Sequence, residues 1–515
     1  MRKWMIVVVI LVVIVVVIGY ILTRRIPAYV QSRTDKILQM HFKSNLQYSD
    51  FRVSVFPRIH VTIGGLVLRH EGRTDVPPLI ELRQATMDAS IFGFLSKNPH
   101  IARIQVDGLQ IHMPPRGHGN GKPLISPTDQ DLAKKYPVLV EELDADDVLL
   151  EILNSDPDKQ PRDFQIHRLQ MHGLGFGQPA SFHAKLTNPK PEGEIDTWGK
   201  FGPWQGDEPS ETPIDAQFTF DHADLGTLKG LSGILSSKGK FSGPLDYLQV
   251  EGETDTPDFA LRTAAHPVDL RTYYTAIVDG TNGDTYLQNV TATFGNTTLN
   301  VKGSIVDMNR NIKSRTIVLD AVSEDARVED LIRLVVKSDT PVMTGAATLR
   351  THIEIPEGDE DLIERLQLKG QFGIAKAHFT NSGTQEKINS LSRRAKGTPS
   401  DTDIDNAVSA LQGKFRVRKA VVSFSKLSFE VPGAAIHLDG TYDVDNGDLD
   451  FRGHLLMKAK LSETQTGAKS FFMKVIDPFF KGKDGMGTSL PIKITGTKDH
   501  PSFGLDLHDK DNKSK

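Results

Sequence analysis

Side chains that could do chemistry are plentiful in this sequence, but none falls at the spacing a reaction or a metal requires. The most ion-like stretches are Asp279-Gly280-Thr281-Asn282-Gly283-Asp284 and Asp443 to Asp450. An EF-hand loop needs oxygen ligands at alternate positions, Gly at the sixth and Glu at the twelfth. Counting from Asp279 puts Asp284 sixth and Val290 twelfth, and counting from Asp443 puts Gly447 fifth with no Glu to follow at the twelfth. Both stretches read as hairpin turns, because Asn-Gly between apolar runs supplies the positive φ angles that tight turns need. Ser423-Phe424-Ser425-Lys426 has the Ser-x-x-Lys spacing of penicillin-binding enzymes. Their Ser-Asp-Asn and Lys-Thr-Gly partners are absent, and the Ser lies in a strand pattern instead of at a helix start. Gly121-Lys122 runs into Pro123 and is no phosphate-binding loop. His167 and His172 stand five apart on one strand, which is not ligand spacing. Carboxylate pairs such as Asp146-Asp147 and Glu360-Asp361 sit in loop-like or helix-start settings. There is no cysteine, which excludes disulfides, thiolate metal sites and cysteine nucleophiles. The expectation is a protein that is not an enzyme, with no catalytic residue, no metal and no cofactor.

The stronger signal lies in the elements. Arg2 and Lys3 precede an apolar run from Trp4 to Leu22 that includes Ile6, Val9, Leu11, Val13, Val16, Ile18 and Tyr20, and Arg24-Arg25 end it. A bilayer core about 30 Å thick needs about 20 apolar residues in a helix. Trp4 and Tyr20 lie near the ends of the run, where such rings favour the headgroup level. A cleaved signal peptide is the rival, but no small-x-small site follows the run. Flanking positive charges are almost balanced, so orientation rests on the simpler arrangement: a short cytoplasmic tip and a large exported domain.

The other segments of the 515-residue chain are water-exposed in character, with a mean hydropathy of −0.29 overall. The net charge of −4 argues against nucleic acid as a partner. Gly and Pro punctuate short apolar runs, the pattern of an all-β protein. Tyr29 to His41 reads as a short helix, and the strands begin at Phe51. Gly64-Gly65 and Asp107-Gly108 mark bulges or kinks within strands. Pro114 to Thr128 reads as a linker. Asn188 to Thr212, with Trp198 and Trp204, reads as a Gly/Pro-rich cover over something apolar. Val328 to Val336 and Asp359 to Leu366 read as helices, and Thr384 to Leu411 as two more. Alternation is clearest in Phe415/Val417, Leu427/Phe429/Val431, Ile436/Leu438 and Leu449/Phe451, each facing away from polar neighbours. A helix is expected over Glu463 to Asp477, then a final hairpin and a charged tail from His508. A loose repeat of alternating strand and Gly recurs at Val301-Lys302-Gly303, Leu438-Asp439-Gly440 and Ile494-Thr495-Gly496.

So many one-faced strands with few long helices leave an apolar sheet face that something must cover. Either the sheet curls on itself as a sandwich or barrel, or it stays an open curved groove. With about 15–20 strands at ~4.8 Å each, such a groove would run ~70–100 Å, long enough for a conduit.

In patches over most of its length the sequence resembles the AsmA-like family. The opening resemblance lies in the anchor, Ser54-Val55-Phe56-Pro57, Gly65-Leu66-Val67-Leu68 and Ile101-Ala102-Arg103-Ile104-Gln105-Val106-Asp107-Gly108. The C-terminal resemblance lies in Val431-Pro432-Gly433-Ala434-Ala435-Ile436, Leu438-Asp439-Gly440-Thr441-Tyr442, Lys469 to Lys474, Asp477-Pro478-Phe479-Phe480 and Leu490 to Thr497. Gly252 to Phe259 and Val278 to Tyr286 are similar to uncharacterised bacterial members. The resemblance implies a single-pass bacterial inner-membrane protein with its bulk in the periplasm. It also implies a β groove related in architecture to bridge-like lipid transfer proteins, and a role in phospholipid movement for outer-membrane homeostasis. It divides the chain into an anchor (1–25), an AsmA-like N-terminal helix and strands (26–113), a central β groove (114–340), an AsmA-like C-terminal β region with a helical insertion (341–507) and a tail (508–515). Phospholipid or membrane is the expected partner. The residues expected to line the groove are Phe415, Val417, Leu427, Phe429, Val431, Ile436, Leu438, Leu449 and Phe451. The alternative is a structural or interaction protein of the envelope, in which those rows pack as a closed core and an exposed loop meets a protein partner.

Overall fold

The computed structural model describes residues 27–32, 34–35, 47–55, 58–69, 77–96, 98–113, 138–152, 162–175, 177–205, 209–262, 266–307, 315–335, 340–358, 360–400, 408–460, 464, 487–497 and 500–506. The expected anchor, the Pro114 to Thr128 linker and the tail lie outside them, as does nearly all of the Glu463 to Asp477 helix. Among the described residues no helix is long and apolar enough to cross a membrane.

The described chain is mainly β, with 24 strands and a few short helices. In order the strands are β1 (Asp50–Ser54), β2 (Ile59–Leu68), β3 (Ile80–Ala89), β4 (His100–Met113), β5 (Leu139–Ile152), β6 (Arg162–Gly175), β7 (Ala180–Pro189), β8 (Glu192–Phe201), β9 (Pro213–Asp224), β10 (Leu231–Ser232), β11 (Ile234–Pro244) and β12 (Leu248–Leu261). There follow β13 (Val268–Val278), β14 (Thr285–Phe294), β15 (Thr297–Val306), β16 (Thr316–Arg327), β17 (Met343–Ile355), β18 (Gln367–Phe379), β19 (Ser409–Arg418), β20 (Val421–Val431), β21 (Ala434–Asp443), β22 (Asp448–Met457), β23 (Thr488–Thr497) and β24 (Pro501–Leu505). They belong to two compact units: residues 1–223, 236–252 and 276–285, and residues 224–235, 253–275 and 286–515.

In the first unit β1 to β8 pair in chain order. The fold expected from the sequence is a long curved antiparallel sheet; six of these seven ladders are antiparallel, and β4–β5 is a correction, a parallel ladder with Ile101 beside Val140 and Ile111 beside Leu150. Parallel neighbours need a crossover of a dozen or more residues, and the segment 114–138 that joins these two strands has that length. Gly65 and Gly108 take φ of +60° and +63°, local kinks, but the registers on either side of them are unshifted, so of the expected bulges or kinks no bulge forms there. The Asn188 to Thr212 segment is a correction. It holds the β7–β8 hairpin, with Pro189 opposite Glu192, so its Pro and Gly mark a tight turn. Trp198 stands on β8 and is 40% exposed. Asp144 of β5 is buried, and it accepts from Arg103 Nε at 3.0 Å and from Gln170 Nε2 at 3.0 Å. Burial pushes its carboxyl up, but these donors outweigh that and hold it below the usual range.

In the second unit β15 to β24 pair antiparallel in chain order. Two helices pack on them: Val328–Val335 and Ser382–Ala395. The second ends at Ala395, and Ser409–Arg418 is strand, which corrects the expectation of a second helix reaching Leu411. Ser409 to Leu411 instead carry the alternation of β19, with Leu411 on the apolar side. Asn381 caps the longer helix, its side chain accepting from Thr384 N–H at 3.0 Å. The shorter helix is held by two carboxylates in its first turn. Asp330, 6% exposed, accepts from Asn296 N–H at 2.8 Å and Thr297 Oγ1 at 3.0 Å. Asp330→Ala leaves both donors without a partner. Chemical unfolding should show a loss of about 2–3 kcal/mol, and a loss under ~0.5 would remove this tether from the account.

Glu329 accepts from Arg327 Nε at 2.8 Å and Gly345 N–H at 3.1 Å. Burial raises its carboxyl, but the backbone N–H groups of Glu329 and Gly345, with Arg327, bring it below the ordinary 4.5. A depressed carboxylate stabilises the fold above its unfolded value, and that stability is lost as pH falls through the folded one. The unfolding midpoint should therefore decline below about pH 4.5 and decline less steeply in Glu329→Gln. Equal slopes in the two proteins would contradict this role.

Candidate functional site

The nine expected groove residues lie on one face of the second unit. Side chains alternate along a strand, so the register assigns each face. Phe415 stands opposite Phe424, Val417 opposite Val422, Leu427 opposite Leu438 and Phe429 opposite Ile436. Phe451 stands opposite Ile494, and Tyr442 opposite Leu449. The same face extends through Leu349 and Phe372 on one side and through Ile494 and Phe503 on the other. The opposite face is polar, carrying Lys369, Lys414, Arg416, Asp439, Arg452 and Lys493.

The apolar face is not uniformly buried. Six of the nine, Phe415, Val417, Leu427, Phe429, Ile436 and Leu449, are half-buried, while Val431, Leu438 and Phe451 are buried. At β24 the face ends on Phe503, 72% exposed. The two helices account for the burial at one end of the strands. Ile388 and Ala395 of the longer helix pack on Val431, Ala434 and Met457, with Phe429, Leu455 and Leu490 around them. Leu331 and Ile332 of the shorter helix pack beside Ala347, Ile374, Phe372 and Leu411. Both helices thus cover the end of the strands that carries Arg327, Ala377, Val431 and Met457. Val431 belongs to that covered core and not to an open lining. Farther along the strands Leu438 and Phe451 are buried outside those cores, and Phe415, Val417, Leu427, Ile436 and Leu449 are half-exposed.

That stretch has a specific construction. Gly370 lies opposite Phe415 and Gly440 opposite Phe451. A Cβ at Gly370 would fall 2.8 Å from Phe415 Cζ, and one at Gly440 would fall 2.7 Å from Phe451 Cδ1. Each ring therefore lies over its glycine, against the sheet. The rings also meet one another: Phe372–Phe415 at 6.2 Å, Phe372–Phe424 at 6.4 Å and Phe424–Phe451 at 5.9 Å between centroids. The result is an aromatic band crossing β18 to β22, its spacing that of favourable offset and edge contacts. An apolar floor of this kind can replace bilayer contacts for an acyl chain, and no bond is made or broken.

Phe372 and Phe424 were not among the expected residues. Strict alternation from Leu427, Phe429 and Val431 places Phe424 on the polar face. The register jumps from Phe424/Gly440 to Leu427/Leu438, and Lys426 absorbs the extra residue at φ +54°. This bulge restores Phe424 to the apolar side. The glycines were visible as a loose repeat, and Gly440 shows what one of them does: it makes room for a ring.

The residues considered for chemistry fall into structural roles. Asp279 Oδ1 accepts from Thr281 N–H at 2.9 Å, and Asn282 Oδ1 from Asp284 N–H at 2.7 Å. Asp443 Oδ1 accepts from Asp445 N–H at 3.0 Å, and Asn446 Oδ1 from Asp448 N–H at 2.9 Å. Both are turns closed by their own side chains. Ser423 is exposed on the polar face of β20, and His167 meets Thr187 Oγ1 at 2.7 Å. Among the described residues no three His, Cys, Asp or Glu gather as a metal site. The residues expected to form the membrane anchor, Trp4 to Leu22, lie outside the described part. No family model, curated protein or solved structure matches the chain.

Proposed function

We propose that the half-exposed aromatic floor of the second unit binds the acyl chains of phospholipids, and that the protein handles or transfers lipid in the bacterial envelope. The observation that carries this reading is the one-sided apolar face of β17 to β24, covered by helices at one end of its strands and, apart from Leu438 and Phe451, half-exposed beyond them. Exposed contiguous apolar surface of this extent is uncommon unless it meets a ligand, a membrane or a partner. The Trp4 to Leu22 run supports an inner-membrane anchor with the β units in the periplasm, and the AsmA-like patches support a place in outer-membrane homeostasis. Shielding of each acyl CH₂ contributes about 0.8 kcal/mol, so a floor several strands wide can compete with a bilayer for a chain.

The second reading, a packed envelope protein without lipid transport, draws on the closed core of Ile388, Ala395, Val431, Ala434 and Met457. Purification of the whole protein without detergent, followed by lipid extraction and mass spectrometry, separates the two. Co-purified phospholipid near one or a few molecules per chain is expected. Lipid-free protein that also fails to take up a fluorescent fatty acid would favour the packed reading.

A further inference from the structure

On the polar side of the same unit the strands form a hollow of about 420 Å³. It lies where several ladders carry bulges: the register shifts at Ser323/Ala326 on β16, at Ile374/Ala377 on β18 and at Phe424/Leu427 on β20. Gly373 forms part of its lining, between Thr348 of β17 and Gln412 of β19. A Cβ built there meets one atom within 4 Å, Thr348 Oγ1 at 3.1 Å, so a side chain at this position would enter the open space of the hollow.

The lining is unusually rich in donors. It includes Arg350, Lys414, Lys426, Gln371 and Gln412, with Glu324 as its single carboxylate. Arg350 pairs with that carboxylate, Nη2 to Oε1, at 3.0 Å. The ammonium groups of Lys414 and Lys426 have no ion-pair partner among the described residues. Lys426 stands at the β20 bulge, where φ is +54°, and its backbone N–H is fixed to Asp439 Oδ1 at 2.8 Å. The bulge therefore holds a second lysine beside the one on β19, although strict pairing would alternate them to opposite sides. The lining carries three cations against Glu324, with Asp439 at the Lys426 backbone as a second carboxylate nearby, which leaves a small excess of positive charge, and two amides add neutral donors. Two carboxylate oxygens would leave many of these donors idle. A phosphoryl group has three oxygens and more charge, and lysine binds phosphate well as a point charge.

We infer that this bulge-formed hollow is a binding site for a phosphate monoester, met through Lys414, Lys426 and the Gln371 and Gln412 amides. Its source is either a small phosphorylated molecule or a lipid headgroup. Its charged and amide groups stand on the face opposite the aromatic floor, but Leu349 and Phe372 of that floor also line it, so acyl-chain binding is measured separately in each variant.

The test uses the full chain and two probes: glycerol 3-phosphate in solution, and phosphatidylcholine vesicles containing phosphatidic acid. Binding is followed by calorimetry for the first and by co-sedimentation for the second, at fixed salt. Two variants are compared, Lys414→Ala/Lys426→Ala and Gly373→Thr. The first removes charge, and the second places a side chain in the hollow without touching charge. Saturable binding of glycerol 3-phosphate, weakened at least tenfold in both variants, is expected for a small-molecule site. Binding to phosphatidic-acid vesicles alone, lost in both variants, assigns the headgroup. Absence of binding to either probe overturns the site. So does binding that Gly373→Thr leaves unchanged, which would mean surface lysines only. Lipid co-purified by each variant is measured in parallel, so loss of the acyl floor would be seen separately.

Discussion

Phe415→Asp should give a folded protein that carries at least tenfold less co-purified lipid. Phe415 is half-buried, lies over Gly370 and touches Phe372 at 6.2 Å between centroids. Phe415 is not itself part of the core beneath either helix, although its neighbour Phe372 borders the one beneath the shorter helix. On a floor that is open when empty, the carboxylate can stay partly hydrated, and the loss of stability should be about 1–2 kcal/mol. An acyl chain laid over it would have to cover a charge, and that cost falls on binding. Near-UV circular dichroism and a denaturant curve report the fold, and lipid mass spectrometry reports the load. A protein that unfolds, or one that folds and keeps its lipid, would place Phe415 in a closed core or outside the lipid path.

Val431→Asp should do the opposite. Val431 is 7% exposed and sits in the core with Ile388, Ala395, Ala434 and Met457. The next two residues, Pro432 and Gly433, form the β20–β21 turn on which the longer helix docks. Ser392 Oγ donates to Pro432 O at 2.7 Å, and Gly433 takes φ +96° with its missing Cβ 3.1 Å from Ala395 C. A carboxylate here is enclosed without a partner, and the expected loss is on the order of 4 kcal/mol. A shift in denaturant midpoint measures it. A stable Val431→Asp protein would mean that the helix lifts readily from the sheet. Phe429, packed edge-on to Phe379 at 6.2 Å beside the same helix, should follow Val431 and not Phe415.

The contrast shows what was legible in the sequence. Alternation in Phe415 to Val417 and in Leu449 to Phe451 is unbroken, so their common face could be read directly. Phe424 could not, because one extra residue at Lys426 reverses the phase and nothing in local composition marks it. Val431 shares the face, yet its burial depends on Ile388 and Ala395, more than 30 positions away. β5 was legible only in its second half: Glu141, Glu142, Asp144, Asp146 and Asp147 break the apolar signal, and Arg103 and Gln170 on neighbouring strands make Asp144 tolerable there. The parallel β4–β5 ladder leaves no local mark, since a strand's pattern is the same whichever way its neighbour runs. Trp198 was read as part of a cover because Pro and Gly surround it, but two-residue turns use the same residues as loops. The hollow around Gly373 is a product of bulges on several strands and could not be assembled from any one segment.

The central claim is that lipid lies on the aromatic band and not on the polar face of the same strands. A photo-crosslinking residue placed at Phe424, and in a second protein at Arg416, tests it directly after detergent-free purification and irradiation. Phe424 is on the apolar side and Arg416 is on the polar side, one strand away. The account predicts adducts to phospholipid acyl chains by mass spectrometry at position 424 and none to acyl chains at 416. Absence of adducts at 424, or equal yields at both positions, would contradict it.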